Sequence, residues 1–215
     1  MERRHYDHLL EIMRGRRSIR RFEARPISPD TWEKLLEVIR WAPSASNRQG
    51  YRFVLVTNTS VIRQMAEAVR HASEELSTKA RDDYRDDVDA YLKHFDHFAD
   101  APAAIVPIYR QGMDLLKAIT AASDGPSAAP RALLEGISAV AAATMNLLLS
   151  AHALGLGACW MTGPLIAAPA LDALLEVPKG WAIASVIPVG YPAETPQAPK
   201  KRPLQQMLRR IENES

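Results

Sequence analysis

GISAVAAATMNLLLSAHALGLGACWMTGPLIAAPAL, residues 136–171, runs for 36 positions without an Asp, Glu, Lys or Arg. That is long enough to raise the question of a membrane span. The punctuation argues against one. Ser138, Thr144, Asn146, Ser150 and His152 interrupt the run, and Gly155, Gly157, Gly163 and Pro164 break it. A helix that is apolar around much of its circumference also suits a large core or an obligate subunit interface. The stretch therefore reads as a central buried helix over Arg131–Leu154, closed by Gly155 at C′, and then a buried strand, GACWM. An uncharged surface of this extent would not stay in water by itself, so a homodimer is expected.

Working outward, a second strand, WAIASVIPVG, follows a short helix around Ala170–Glu176, and Pro203–Arg210 reads as a terminal helix. Upstream, His5–Arg14 has a helical face of Leu9, Leu10 and Met13. Ser28-Pro29-Asp30 supplies an N-cap, a first-turn proline and a first-turn acid. Trp32, Leu35, Leu36 and Ile39 form that helix's apolar face, and Pro43 ends it. The polar loop PSASNRQG leads into a strand, YRFVLVT. Residues 60–99 read as helix, Ala103–Tyr109 as a strand pushed towards a sheet edge by Pro107, and 120–130 as a flexible loop. Helices and strands without strict alternation favour an α+β fold. A chain of 215 residues with 47% hydrophobic content is sized for a single domain, 1–215, and is too apolar for disorder. One Cys excludes an internal disulfide and a zinc finger. With no apolar signal core near the start, a reducing cytoplasmic setting is the default expectation.

The net charge of +2 conceals an uneven distribution. Residues 14–25, RGRRSIRRFEAR, hold six Arg against Glu23 alone. A second basic knot, Lys200-Lys201-Arg202, follows Pro192, Pro196 and Pro199. Arg16, Arg17, Ser18 and Arg20 offer guanidinium forks and a hydroxyl, the chemistry that grips a phosphate. A nucleic-acid surface would interleave exposed aromatics with its basic residues, and here only Phe22 accompanies the tract. Residues 81–100 carry seven Asp against Arg81, Arg85 and Lys93, either a solvated helix face or a lid over a site.

Several chemistries lack their signatures. Gly155–Gly157 is no dinucleotide fingerprint, since a third glycine is missing and a helix precedes it. No phosphate-binding GxxxxGK[ST] loop is present. His94 and His97 lack a third ligand, so no metal site is expected. Ser44 and Ser46 have no activating context, and Cys159 falls in a buried strand where inert packing is expected.

RRSIRRF, APSASNRQ before a strand, the long apolar helix, GLGACW, VGYP and KKRPL, in this order from about Ile12 to Leu208, resemble the flavin-dependent nitroreductase superfamily. The resemblance implies a three-layer α+β fold with a mixed, mainly antiparallel central sheet flanked by helices. It also implies dimerisation through long helices, with FMN at each subunit interface. Arg16, Arg17, Ser18 and Arg20 match the phosphate and ribityl tract. Pro43, Ser44, Ala45, Ser46 and Asn47, with Gln49, match a loop laid against the flavin by the partner subunit. Met161, Thr162 and Gly163 match a turn at the isoalloxazine edge, and Lys200 and Arg202 a pair returning to the phosphate. The family loop commonly reads N-x-Q-P-W/F, whereas this chain has Asn47-Arg48-Gln49-Gly50-Tyr51, and the charged 75–100 segment falls where such proteins vary.

The implied reaction carries reducing equivalents from NADH or NADPH through FMN to a nitroaromatic, quinone or similar small acceptor. The flavin does the chemistry, no side chain is required as acid or base, and neither nucleic acid nor membrane is a partner. Flavin fragmentation or reductive dehalogenation on the same scaffold, a flavin-binding redox sensor with little turnover, and a nucleic-acid module using Arg14–Arg25 are the alternatives.

Overall fold

Ser28 opens a helix as its sequence requires: its Oγ accepts the Thr31 N–H at 3.2 Å, Pro29 takes the first helical position, and Leu35 is wholly buried. This computed structural model describes residues 2–111 and 128–211, so most of the loop expected at 120–130 lies outside the described residues. The helices are α1 (Glu2–Gly15), α2 (Pro29–Glu37), α3 (Thr59–Lys79), α4 (Arg85–Leu92), α5 (Ala128–Ala153) and α6 (Ala168–Leu174). The strands are β1 (Tyr51–Val56), β2 (Ala103–Arg110), β3 (Gly157–Ala158), β4 (Trp181–Ile183) and β5 (Ile187–Gly190).

The strands form one sheet in the order β1-β2-β5-β3, with β4 also on β2, and every strand pair is antiparallel. A parallel bridge from Ser18 to Ala158 makes it mixed. Strand alternation divides two cores. Ala104, Val106 and Ile108 of β2 face Ile62, Met65 and Val69 of α3, Phe95, Phe98 and Leu171. Ile105 with Ile187 and Val189 faces Leu35 of α2 and Leu147, Leu148 and Ala151 of α5. The expected three-layer α+β fold is the fold observed.

Four expectations are corrected. Pro107 does not put β2 at an edge: β2 is central, between β1 and the β4–β5 pair. Ile108 pairs with Ile183 but Ile105 with Ile187, so residues 184–186 bulge opposite Val106 and Pro107. The Pro107 carbonyl accepts the Ala184 N–H at 2.8 Å on that side, and its missing N–H faces the bulge, where the ladder is already broken. The same bulge splits WAIASVIPVG into β4 and β5. The helix expected over 60–99 stops at Lys79 and resumes at Arg85. Unbroken, it would stack Asp82 on Asp86 and Asp83 on Asp87; instead Arg81 pairs with Asp83 and Arg85 with Asp82. The terminal helix over 203–210 is reduced to one 3₁₀ turn, Leu204–Gln206, because Leu204, Met207 and Leu208 are exposed and a segment this short needs a packed face.

Helix α5 contains a segment, Leu134–Ala153, long and apolar enough to cross a membrane. Its Val140, Ala143, Thr144, Leu147 and Ala151 are packed into the sheet's cores, the position of a central core helix, while Leu134, Ile137 and Met145 remain exposed. Asn146 ties it to the end of α2, its Nδ2 donating to the Val38 carbonyl at 3.2 Å.

Candidate functional site

After Gly15 the chain leaves α1 extended, and the arginine tract is threaded between two segments of the sheet's edge. Ile19 N–H donates to the Ala158 carbonyl at 3.1 Å, Glu23 N–H to Tyr191 at 2.9 Å, and Ala193 N–H to Arg21 at 2.9 Å. Gly157 makes the approach possible, since a Cβ there would come within 2.7 Å of the Ile19 side chain. Ile19 is buried while its basic neighbours turn outward.

The arginines divide by task. Arg17 turns back on its own helix, its Nη1 donating to the carbonyls of Arg14 at 2.6 Å, Gly15 at 3.1 Å and Arg16 at 2.9 Å, where it balances the helix's negative end. The Arg16 and Arg20 guanidiniums have no hydrogen-bond or ion-pair partner among the described residues. Arg16, Arg17, Ser18 and Arg20 line a cleft of about 600 Å³ with Pro196–Pro199 and Lys201. The second basic knot therefore does approach the first, but through Lys201; Lys200 and Arg202 are not among the lining residues.

Glu194 organises this side and was missed in the sequence. Its carboxylate accepts the Arg20 N–H at 2.6 Å and both the N–H and Nε of Arg21 at 3.2 Å. The backbone bond from Arg20 is the main reason its pKa lies below the usual value, burial opposing and Arg21 adding to it. The available signal was its isolation, as Glu194 is the only Asp or Glu between Glu176 and Glu212. A depressed carboxyl pKa gives stability that is present above the ordinary value and lost as pH falls through the folded one. The tract is thus expected to loosen below about pH 4. Glu194→Gln should abolish that acid step in a tryptophan-fluorescence titration; an unchanged step would assign it elsewhere.

The loop after α2 is strained. Ser46, Asn47 and Gln49 take left-handed φ values of 53°, 52° and 50°, a conformation that is costly for residues other than glycine and collects at functional sites. Hydrogen bonds impose it. Ser44 Oγ accepts the Gln49 N–H at 2.9 Å, the Ser44 carbonyl accepts the Asn47 N–H at 2.9 Å, and Gln49 Nε2 donates to Asn47 Oδ1 at 3.1 Å. Tyr51 anchors the loop's end, its hydroxyl donating to the Ile39 carbonyl at 2.9 Å. Burial raises the pKa of that hydroxyl and keeps it protonated.

Pro43, Ser44 and Ala45 border a second cavity, about 600 Å³, with Leu134, Glu135, Ser138, Ala139 and Ala142 of α5. Leu148 and His152, near the other end of α5, border the arginine side with Arg16 and Arg17. Ser138 and His152 are about 20 Å apart along the helix. Within one chain, the loop and the arginine tract border separate cavities.

Met161, Thr162 and Gly163 follow β3, and none of them lines the arginine clefts. Met161 exchanges backbone hydrogen bonds with Val186 at 3.1 and 2.9 Å, Thr162 is exposed, and Gly163 lies against the Phe95 ring. Cys159 is buried; burial raises its pKa against the opposing pull of Arg20 and a Ser18 hydrogen bond, so it stays a thiol. His94 and His97, an incomplete metal pair in the sequence, contact each other, with Nδ1 of His94 3.2 Å from Nε2 of His97. No group of metal-binding side chains occurs among the described residues.

Comparison with known proteins agrees with this architecture. The chain is 30% identical over 194 residues to an NADH dehydrogenase of Thermus thermophilus, covering 90% of this chain and 91% of that protein. Its fold is similar to a BluB-like flavoprotein from Clostridium difficile 630, with a TM-score of 0.82, 22% identity, and coverage of 95% of this chain and 99% of the other. It is also similar to a nitroreductase with bound FMN from Desulfitobacterium hafniense DCB-2, with a TM-score of 0.69, 20% identity, and coverage of 95% and 98%. Residues 13–191, which hold the tract, the strained loop, α5 and the turn after β3, match the model of the Nitroreductase family, and the chain belongs to that family.

Proposed function

We propose that the protein is a homodimeric, FMN-dependent oxidoreductase that takes reducing equivalents from NADH or NADPH and delivers them to a nitroaromatic, quinone or similar small acceptor. The observation that carries this reading is the pair of half-sites at opposite ends of α5, each incomplete in one chain. A two-fold dimer through the exposed face of α5 would bring the Pro43–Gln49 loop of one subunit to the arginine side of the other, and its interface would be isologous. Leu134, Ile137 and Met145 on α5, and Leu204, Met207 and Leu208 near the end of the chain, supply apolar surface for it.

The residues fit the cofactor. A cleft of about 600 Å³ is the size of a small-molecule site. A phosphate carries nearly two negative charges, and the Arg16 and Arg20 guanidiniums, without partners among the described residues, Ser18 Oγ and the ammonium of Lys201 would supply donors and charge for it. Glu194 holds the backbone at Arg20 and Arg21, so the Arg20 side chain would reach the phosphate from a fixed backbone. Bound FMN would supply hydride transfer at N5 in alternating reduction and reoxidation. The Met161–Gly163 turn and the partner's strained loop would confine the flavin ring and exclude water from its surface.

An absorption spectrum followed by anaerobic titration with NADH and then NADPH tests this. A yellow protein bleached by either donor and recovered on adding a quinone is expected. A colourless protein that takes up no added FMN would overturn the reading, and a yellow protein inert to both donors would favour a sensor. Sedimentation is expected to show a dimer; a stable folded monomer would leave the half-sites unjoined. FMN retained through high salt, with no mobility shift of DNA, would separate this role from nucleic-acid binding.

A further inference from the structure

The extended arginine tract borders two clefts. Arg16 and Arg17 line both, Ser18 and Arg20 line only the larger, and Ile19 lines only the smaller. The smaller cleft, about 260 Å³, is walled by the ends of α1 and α5, the turn into β3 and residues 192–196. Its floor is aliphatic. Ile19, Leu148, Leu156 and Ala158 are buried there, and Pro192 and Pro196 close the side. No Phe, Tyr or Trp among the described residues lines it.

His152, in the last turn of α5, is half-buried on this wall and lies against the end of α1. A Cβ on Gly15 would fall 2.5 Å from its Nε2, so the imidazole occupies space that a side chain at position 15 would take. Neither this ring nor the Arg16 guanidinium has a hydrogen-bond or ion-pair partner among the described residues. The other charges on the wall are engaged. Arg17 donates to three carbonyls at the end of α1, and Glu194 accepts from Arg20 and Arg21. One cation, Arg16, is left open beside an aliphatic floor.

We propose that this cleft binds a compact aliphatic monocarboxylate, its carboxylate held by Arg16 and a His152 ring N–H and its hydrocarbon body resting on Ile19, Leu148 and Leu156. A guanidinium fork matches the two oxygens of a carboxylate. An apolar floor with a few convergent polar groups is the common form of a small-molecule site. The Glu194 carboxylate on the same wall disfavours a dianion, and a bare phosphate would leave the floor unfilled. Arg16 also borders the larger cleft, the one proposed above for the FMN phosphate. On that reading the two anions compete for one guanidinium, so the carboxylate acts as an effector that lowers flavin affinity. Linkage requires that the flavin lower carboxylate affinity by the same factor. The coupling rests on the proposed function; the carboxylate site does not.

Calorimetric titration of cyclohexanecarboxylate into the protein as purified, with cyclohexylmethanol as the uncharged counterpart, tests the site. The acid should bind about tenfold or more tightly than the alcohol, and Arg16→Ala should erase that advantage, the scale of a lost hydrogen bond to a charged group. His152→Leu should weaken the acid about threefold to tenfold, and His152→Gln, which keeps a donor, should recover most of the loss. Arg20→Ala, which alters only the larger cleft, should leave the acid's affinity unchanged while weakening FMN. The His152 imidazole signals should shift as the acid is added, which separates this cleft from any binding elsewhere. No binding, equal affinity for acid and alcohol, or an affinity lost in Arg20→Ala and untouched in His152→Leu would overturn the site. In FMN fluorescence titrations, saturating acid should raise the FMN Kd. An unchanged Kd would overturn the coupling. A protein that binds the acid with the expected variant pattern but takes up no FMN would remove the proposed function and leave this site standing.

Discussion

Replacing Arg16 with alanine is expected to weaken FMN binding by about 1.5–3 kcal/mol, the worth of a hydrogen bond to a charged group, or roughly tenfold to a hundredfold in Kd. The structure makes the expectation specific to this arginine. Arg16 borders both clefts on the arginine side, and its guanidinium has no partner among the described residues. Arg17, its neighbour, is committed to three carbonyls at the end of α1. Arg17→Ala should therefore lower stability modestly and leave flavin affinity nearly unchanged. Quenching of FMN fluorescence on titration measures both variants. Equal losses, or no loss in Arg16→Ala, would show that the phosphate lies elsewhere.

Truncating Phe98 to alanine should destabilise the protein by about 3–5 kcal/mol, the cost of emptying a fully buried aromatic site. Phe98 is wholly buried against α3 and β2. It also pins the turn segment, residues 93–100, to the α3 face of the core. A fall in the urea midpoint at unchanged slope is the expected result. A loss under 1 kcal/mol would mean that the segment repacks without it. Phe95→Leu offers a milder probe, keeping apolar volume while loosening the contact with Gly163.

Reading fold from sequence worked where one local signal had no rival. The Ser28-Pro29-Asp30 start of α2, the β1 run and the body of α5 were legible because a cap, alternating β-branched residues and an unbroken apolar helix each favour one local state. Pro107 misled, because its edge preference holds only for an intact ladder, and the bulge at residues 184–186 removes the need for its N–H. The 60–99 reading failed because helix propensity is summed locally, whereas repulsion within the Asp82–Asp87 cluster and the burial of Phe95 and Phe98 are decided by neighbours.

The candidate site was legible in composition and illegible in arrangement. Arg16, Ser18 and Arg20 could be picked out as an anion tract, and the Ser/Asn loop as a polar counterpart. Nothing in residue order showed that Arg17 would serve its own helix, or that Lys201 would face the cleft. Glu194 was one acid in a quiet stretch until the strands placed it beneath two arginine backbones. The His94–His97 contact depended on a turn that the sequence reading had taken for helix.

By itself, then, the sequence determined the charge-free core helix, the α+β class and the presence of a concentrated cation tract. These follow from residue type and short-range periodicity, which act over a few positions along the chain. Only the tertiary structure decided which cations lack a partner among the described residues, which acid holds the tract, and that tract and loop border cavities at positions of α5 about 20 Å apart along the helix. Those outcomes depend on contacts such as Arg20 with Glu194, 174 residues apart in the chain, and a packed fold alone sets such contacts.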